Sequence, residues 1–150
     1  MYRPAPQPVA RAVAPINRDL GSGETLWHVR SALNVAALSC RERSHSQLAS
    51  NYNRMLKQHH VALASAYAEE EAQYRAMYGK DWQRKQDRHL TQLYNFFASP
   101  IGARQFCAAA MTVSMRINDM DADQLRHYSR TALAQLEYPL VYGQQALVGR

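Results

Sequence analysis

No stretch of this 150-residue chain approaches the 18 or so consecutive apolar residues of a membrane-spanning helix, so no membrane span is expected. The sequence also lacks a GxSxG elbow, a Walker A loop and a dinucleotide fingerprint, which removes the common signatures of serine hydrolases and nucleotide-binding enzymes. Cysteine is scarce. Cys40 and Cys107 are the two copies, and they fit neither a zinc site nor a CxxC redox motif. They leave two alternatives, one disulfide or two buried thiols. No segment alternates convincingly at period two, so no sheet is expected, and no internal repeat is visible. The start, Met1-Tyr2-Arg3-Pro4, lacks the apolar core of a secretory signal. That suits either a cytoplasmic protein or an exported one whose signal has been removed. The proline-rich beginning fits the second, so a periplasmic or secreted location is expected, with the cytoplasm as the alternative.

What is present is an ordinary globular composition with a net charge of +6. The charge is spread out. Residues 1–23 carry +2, residues 24–60 and 82–107 carry +3 each, and residues 61–81 carry −2 with Glu69, Glu70 and Glu71 in a row. A nucleic-acid binder concentrates lysine and arginine on one face and interleaves aromatics with them for stacking. Neither pattern occurs, so no nucleic-acid partner is expected.

Residues 1–23 hold Pro4, Pro6, Pro8 and Pro15 and then Gly21-Ser22-Gly23. Prolines at this spacing favour extended chain over helix, and the glycines read as a joint. A flexible arm over 1–23 and a helical domain over 24–150 are expected. About 125 residues bury enough surface to fold without a metal.

Helical periodicity divides the domain into five. The first helix covers 24–40 and is apolar nearly all round, which marks it as central. The second covers 46–78, with Leu48, Tyr52, Met55, His59, Ala62 and Leu63 on one face and Gly79 as its cap. Its length suggests a kink or a projecting end near Glu69–Glu71. The third covers 81–97. Ser99-Pro100 signals the start of the fourth, which reaches 117. The fifth runs from a cap at Asp121 to Tyr138, where Pro139 stops it. The expected fold is a single all-α, orthogonal or irregular bundle.

Candidate chemistry is sparse. His59 and His89 project from apolar faces of neighbouring helices, and with Tyr52 they form the candidate pocket. Two inward imidazoles in a bundle can ligate haem iron or a divalent metal. The simpler reading is two buried histidines bonded to a tyrosine or a carbonyl, with no metal and no cofactor. Glu42-Arg43-Ser44-His45 has ExxH spacing, but di-iron bundles need two copies and this one lies in a connection. Asp87, Thr91 and Asn95 form a polar stripe that reads as the wet side of the third helix. Glu24, Glu42 and Glu70 are available to acid–base chemistry, and nothing in the sequence pairs them.

The stretches LWHVRSALNVAALSC (26–40), NYNRMLKQHH (51–60), LYNFFASP (93–100) and FCAAA (106–110) resemble a group of small exported all-helical proteins of alphaproteobacteria. The resemblance covers most of residues 24–115. It implies export and a pairing of cysteines at Cys40 and Cys107, and it implies no particular activity. Each cysteine also falls on or beside the buried face of its helix. A disulfide joining the first helix to the fourth is therefore expected, two buried thiols being the alternative. The function expected is that of a non-enzymatic envelope protein acting through a protein partner or as a homo-oligomer. The alternative is a metal- or ligand-binding domain, or a hydrolase, with its pocket near His59 and His89.

Overall fold

The computed structural model of the chain describes the backbone of residues 14–148 and the side chains of 14–143. Among the described residues there are six α-helices and no strand: α1 (Ser22–Ser39), α2 (Leu48–Gln58), α3 (His60–Tyr78), α4 (Trp82–Phe97), α5 (Ala103–Asn118) and α6 (Ala122–Val148). The all-helical bundle expected from the periodicity is what forms. Helix α1 lies at its centre and touches each of the other five. Leu26, Val29, Ala32, Leu33 and Ala36 are fully buried on it, and polar Glu24, Thr25, His28 and Ser31 are buried as well.

Four boundaries differ from expectation, each for a local reason. The domain begins before residue 24. Ala14 and Asn17 are buried, Ile16 and Leu20 pack against the core, and the Ala14 N–H donates to Glu137 Oε2 at 2.6 Å. Residues 14–23 thus belong to the folded unit, while the expected arm over 1–13 lies outside the described residues.

The long second helix is interrupted at His59 (φ −109°, ψ 25°), not at the glutamates. There the imidazole turns inward and its Nε2 bonds to the carbonyl of Ile117 at 3.0 Å. The chain passes straight through Glu69–Glu71 in α3 because Glu70 is buried against the other helices and not repelled into solvent.

Helix α5 starts three residues after Ser99-Pro100. The Ser99 hydroxyl accepts the Ile101 N–H at 3.2 Å, a side-chain turn that competes with capping a helix. Gly102 (φ 81°) then leads into α5.

Helix α6 opens at Asp121 as expected, with a reciprocal box. The Gln124 N–H donates to Asp121 Oδ1 at 2.9 Å, and the Asp121 N–H donates to Gln124 Oε1 at 2.9 Å. It does not stop at Pro139, which sits inside it. Proline removes one N–H from the helical ladder and thereby orphans the carbonyl of Gln135. Gln135 is exposed, so water can serve that carbonyl, while burial of Leu136 and Leu140 on the same helix favours continuing.

The Pro139 carbonyl fits against Gly102. A Cβ at residue 102 would collide with it, and the positive φ already disfavours a side chain. Gly102→Ala is expected to destabilise the protein by about 1–3 kcal/mol, read from the denaturant midpoint at unchanged slope. A midpoint equal to the parent's would contradict this close approach.

Cys40, at the end of α1, and Cys107, in α5, form a disulfide with Cα atoms 5.7 Å apart and 67 positions apart in sequence. A loop of that size is worth about 4 kcal/mol through the entropy of the unfolded chain. Reduction, or Cys40→Ser together with Cys107→Ser, is expected to lower the unfolding free energy by roughly that amount. An unfolding curve that is the same with and without reductant would remove the bond from the stability of the fold.

Candidate metal centre

The buried half-turns of three helices converge near the start of α1. Glu24 and His28 are one turn apart on α1, on a buried face of this helix. His89 reaches them from α4. His28 Nε2 and His89 Nε2 are 2.9 Å apart. Glu24 Oε2 is 3.9 Å from each of these nitrogens. A point equidistant from the three atoms, the circumcentre of a triangle with those sides, lies about 2.1 Å from each. That is the length of a bond from zinc to nitrogen or oxygen.

The tautomers follow from the partners. Asn17 Oδ1 lies 2.7 Å from His28 Nδ1, and an amide oxygen only accepts. His28 therefore carries its proton on Nδ1 and presents a bare Nε2, toward which His89 Nε2–H donates. Burial, followed by the neighbouring His89, pushes the His28 pKa down to about 3. Burial lowers that of His89 too. Both rings are neutral at neutral pH, the charge state that ligates a metal; His28 already presents a bare Nε2, and His89 presents one to an ion when its proton sits on Nδ1 instead. Burial raises the Glu24 pKa, with the Gln73 side chain lowering it in part.

Behind this triad stands Glu70 of α3, fully buried, neither of whose carboxylate oxygens has a hydrogen-bond partner. Gln86 of α4 lies close enough to lower its pKa, but the Gln86 Nε2 stops short of a hydrogen bond. Burial first, and the Glu24 charge second, push the Glu70 pKa up to about 7. The Tyr74 ring, on the same helix, lies 5.9 Å from that of His89, and burial and then the two glutamates raise its hydroxyl pKa. A buried carboxyl without a donor in contact is costly. A group of this kind calls for a cation or for a proton of its own.

Glu24 and His89 also form part of the floor of a cleft of about 480 Å³ between residues 15–20 and the α3–α4 hairpin. His28 is fully buried and does not line it.

The expected pocket of His59, His89 and Tyr52 does not assemble. His59 is buried and bonded to a backbone carbonyl, beside a different cleft that includes Asn118 and Arg126. Tyr52 is buried near Arg30 and Tyr94, and its pKa is raised mainly by that burial. His45 is buried in the 3₁₀ turn before α2 while Glu42 is exposed, so the ExxH spacing forms no ligand pair. Asp87, Thr91 and Asn95 are exposed, as the wet face of α4. Sequence reasoning missed His28, and named Glu24 only as one of three unpaired carboxylates. Their signal was an i,i+4 carboxylate–imidazole pair on a helix already read as buried all round.

No family model, curated protein or solved structure matches this chain.

The shifts define a pH profile for the metal-free protein. The folded pKa of His28, about 3, lies below its ordinary 6.5, so its contribution is present above pH 6.5 and is lost as pH falls toward 3. The folded pKa of Glu70, about 7, lies above its ordinary 4.5, so its contribution is present below pH 4.5 and is lost as pH rises through 7. The two slopes oppose each other between 4.5 and 6.5. In chelator, stability is expected to peak in that window and to fall on both sides. Glu70→Gln is expected to flatten the alkaline limb and keep the acid one. An alkaline limb unchanged in that variant would show that another group causes it.

Proposed function

We propose that the protein binds one divalent transition-metal ion through Glu24, His28 and His89. The observation that carries this is the triangle of two imidazole nitrogens and one carboxylate oxygen, sized to bring all three to bonding distance of one ion. The buried Glu70 carboxyl supports it, because a cation beside it would balance a charge that the fold otherwise leaves without a donor. Asn17 supports it from behind His28, as a carbonyl oxygen that fixes the tautomer and aims the bare nitrogen, the usual arrangement around a metal-bound histidine.

Two imidazoles with a carboxylate suit zinc, iron, cobalt or nickel in the divalent state. Magnesium and calcium favour all-oxygen shells. Thiolate-dependent ions are disfavoured, since both cysteines are in the disulfide. The location that goes with this reading is an oxidising compartment, periplasmic or extracellular. The disulfide supports it.

The test is calorimetric titration of metal-free protein with Zn(II) and Co(II). One ion per chain is expected. Glu24→Gln and His89→Gln, which keep side-chain size closely, should each weaken binding about 100-fold or more, and Asn17→Ala about 10- to 100-fold. His59→Gln should bind as tightly as the parent. Failure of the parent to take up a stoichiometric ion, or parent-like affinity in His89→Gln, would overturn the proposal.

A further inference from the structure

We infer that Glu70 is the fourth protein ligand of an ion held by Glu24, His28 and His89, so that the site is closed and the ion is a structural tie between α1, α3 and α4. This rests on the metal reading above and adds to it the fourth ligand and the role of the ion.

The packing of α3 brings Glu70 beside the site. A Cβ on Gly23 would strike the Glu69 side chain, and one turn further along α1 the rings of Trp27 and Tyr67 lie 4.8 Å apart. Glu24 and Glu70 are each one residue along from the Gly23–Glu69 contact. Burial first and the Glu24 charge second raise the Glu70 pKa, so the two carboxyls sense each other. Tyr74, one turn after Glu70 on α3, meets the His89 ring at 5.9 Å. As its side chain stands, Glu70 does not join the three ligand atoms that lie within 4.8 Å of one another. Neither of its oxygens is held by a hydrogen bond, so turning about its side-chain torsions toward the ion breaks none.

Charge gives the reason for that turn. Among the described residues the buried acidic side chains are Glu24, Glu70 and Glu137, and no lysine or arginine is buried. Glu137 has the Ala14 N–H as its donor. Glu24 and Glu70 supply two negative charges and the neutral imidazoles none, so a divalent ion bound by both carboxylates leaves the buried site neutral. An ion bound by Glu24 alone would leave Glu70 as a buried carboxylate without a donor or a ligand. Structural zinc sites are closed by four protein ligands, whereas catalytic ones keep a position for water or substrate. Glu24 and His89 face the cleft, and neither His28 nor Glu70 lines it, so half of this donor set lies inside the bundle.

The experiment uses full-length protein loaded with Co(II), whose visible bands report coordination, with azide as the probe of an open position. Parent bands are expected to stay unchanged as azide is added. Glu70→Gln keeps the size and removes the charge, and Glu70→Ala removes the ligand. Each should weaken Zn(II) binding about 100-fold or more and, at saturating Co(II), give bands that shift saturably with azide. The rise in melting temperature on adding Zn(II) should shrink accordingly. Glu70→Gln removes a buried charge without a donor and is expected to fold, so it carries the test if Glu70→Ala does not. Parent protein that shows no Co(II) bands would remove the metal reading and this inference with it. Parent bands that respond to azide would overturn the inference alone, since the fourth position would then be open. So would parent-like Zn(II) affinity in Glu70→Gln, or weakened binding with bands as silent to azide as the parent's, which would leave Glu70 a counter-charge and no ligand.

Discussion

Five helices surround α1, and that enclosure governs most of what the molecule does. Most side chains of α1 are buried, its polar Glu24, Thr25, His28 and Ser31 among them, and each buried polar group must find a partner inside the protein. Thr25 and Ser31 meet the requirement locally by donating back to the carbonyls of Gly21 and Trp27 at 2.8 and 3.0 Å. These bonds need no other part of the chain. Glu24 and His28 have no such local answer. Their side chains are too long to fold back on the helix, and their partners must come from other elements. The candidate site is where those partners arrive: His89 from α4, Asn17 from the segment before α1, and Glu70 from α3 standing behind.

That arrangement makes the segment before α1 part of the site. Ala14 is tied to Glu137 of α6 by its N–H. Asn17 turns its amide nitrogen toward the same carboxylate, near enough to lower its pKa yet short of a hydrogen bond. With the nitrogen on that side, the amide oxygen faces His28. Burial still holds the Glu137 pKa above the usual carboxylate range, so this anchor is itself a compromise between desolvation and its donors. A carboxylate on the last helix thus orients an imidazole on the first, through two residues of the chain that enters the domain. The Cys40–Cys107 bond fastens the other end of α1 to α5. The central helix is therefore held at both ends, by a polar chain at its start and a covalent bond at its finish.

The features legible in the sequence were those that depend on one helix at a time. Periodicity located the helical segments, with α2 and α3 read as one helix over 46–78, because an apolar stripe is a local property of spacing. The central place of α1 followed from its missing polar face, and the Asp121 cap followed from residue type. Features that depend on two elements were hidden. The break at His59 requires the carbonyl of Ile117 nearby, and the passage of α6 through Pro139 requires an exposed Gln135 and a core that rewards Leu140. The place of His89 on an apolar face is legible from spacing, but its partner is His28 of the central helix and not His59 of the neighbouring hairpin. The apolar periodicity of α1 hides His28 among core positions. A histidine and a glutamate one turn apart on a buried face of a helix carry their own implication, since each needs a partner that the helix cannot provide.

The same reasoning bears on why the cluster is kept polar. Well-packed apolar residues often serve a fold as well as a buried ionic group or better. Here the polar groups are numerous and incompletely satisfied: both oxygens of Glu70, the amide nitrogen of Gln86 and that of Asn17 lack partners in the protein. A network built only for stability would close those bonds, as the rest of α1 closes its own. Local rules are broken at few places in a well-specified fold, and those places are where function is found. Among the described residues, four of the six buried side-chain atoms without a partner belong to Glu70, Gln86 and Asn17, beside or behind the triangle of ligand atoms, and the other two, His45 Nδ1 and Asn118 Oδ1, lie elsewhere in the fold. His28 supplies a bare nitrogen, His89 supplies one when its proton sits on Nδ1, the carboxylates supply negative charge, and the missing complement is positive. A cation satisfies all three conditions at one point, whereas a proton on Glu70 satisfies only that carboxyl and leaves the rings of His28 and His89 to share a single hydrogen bond.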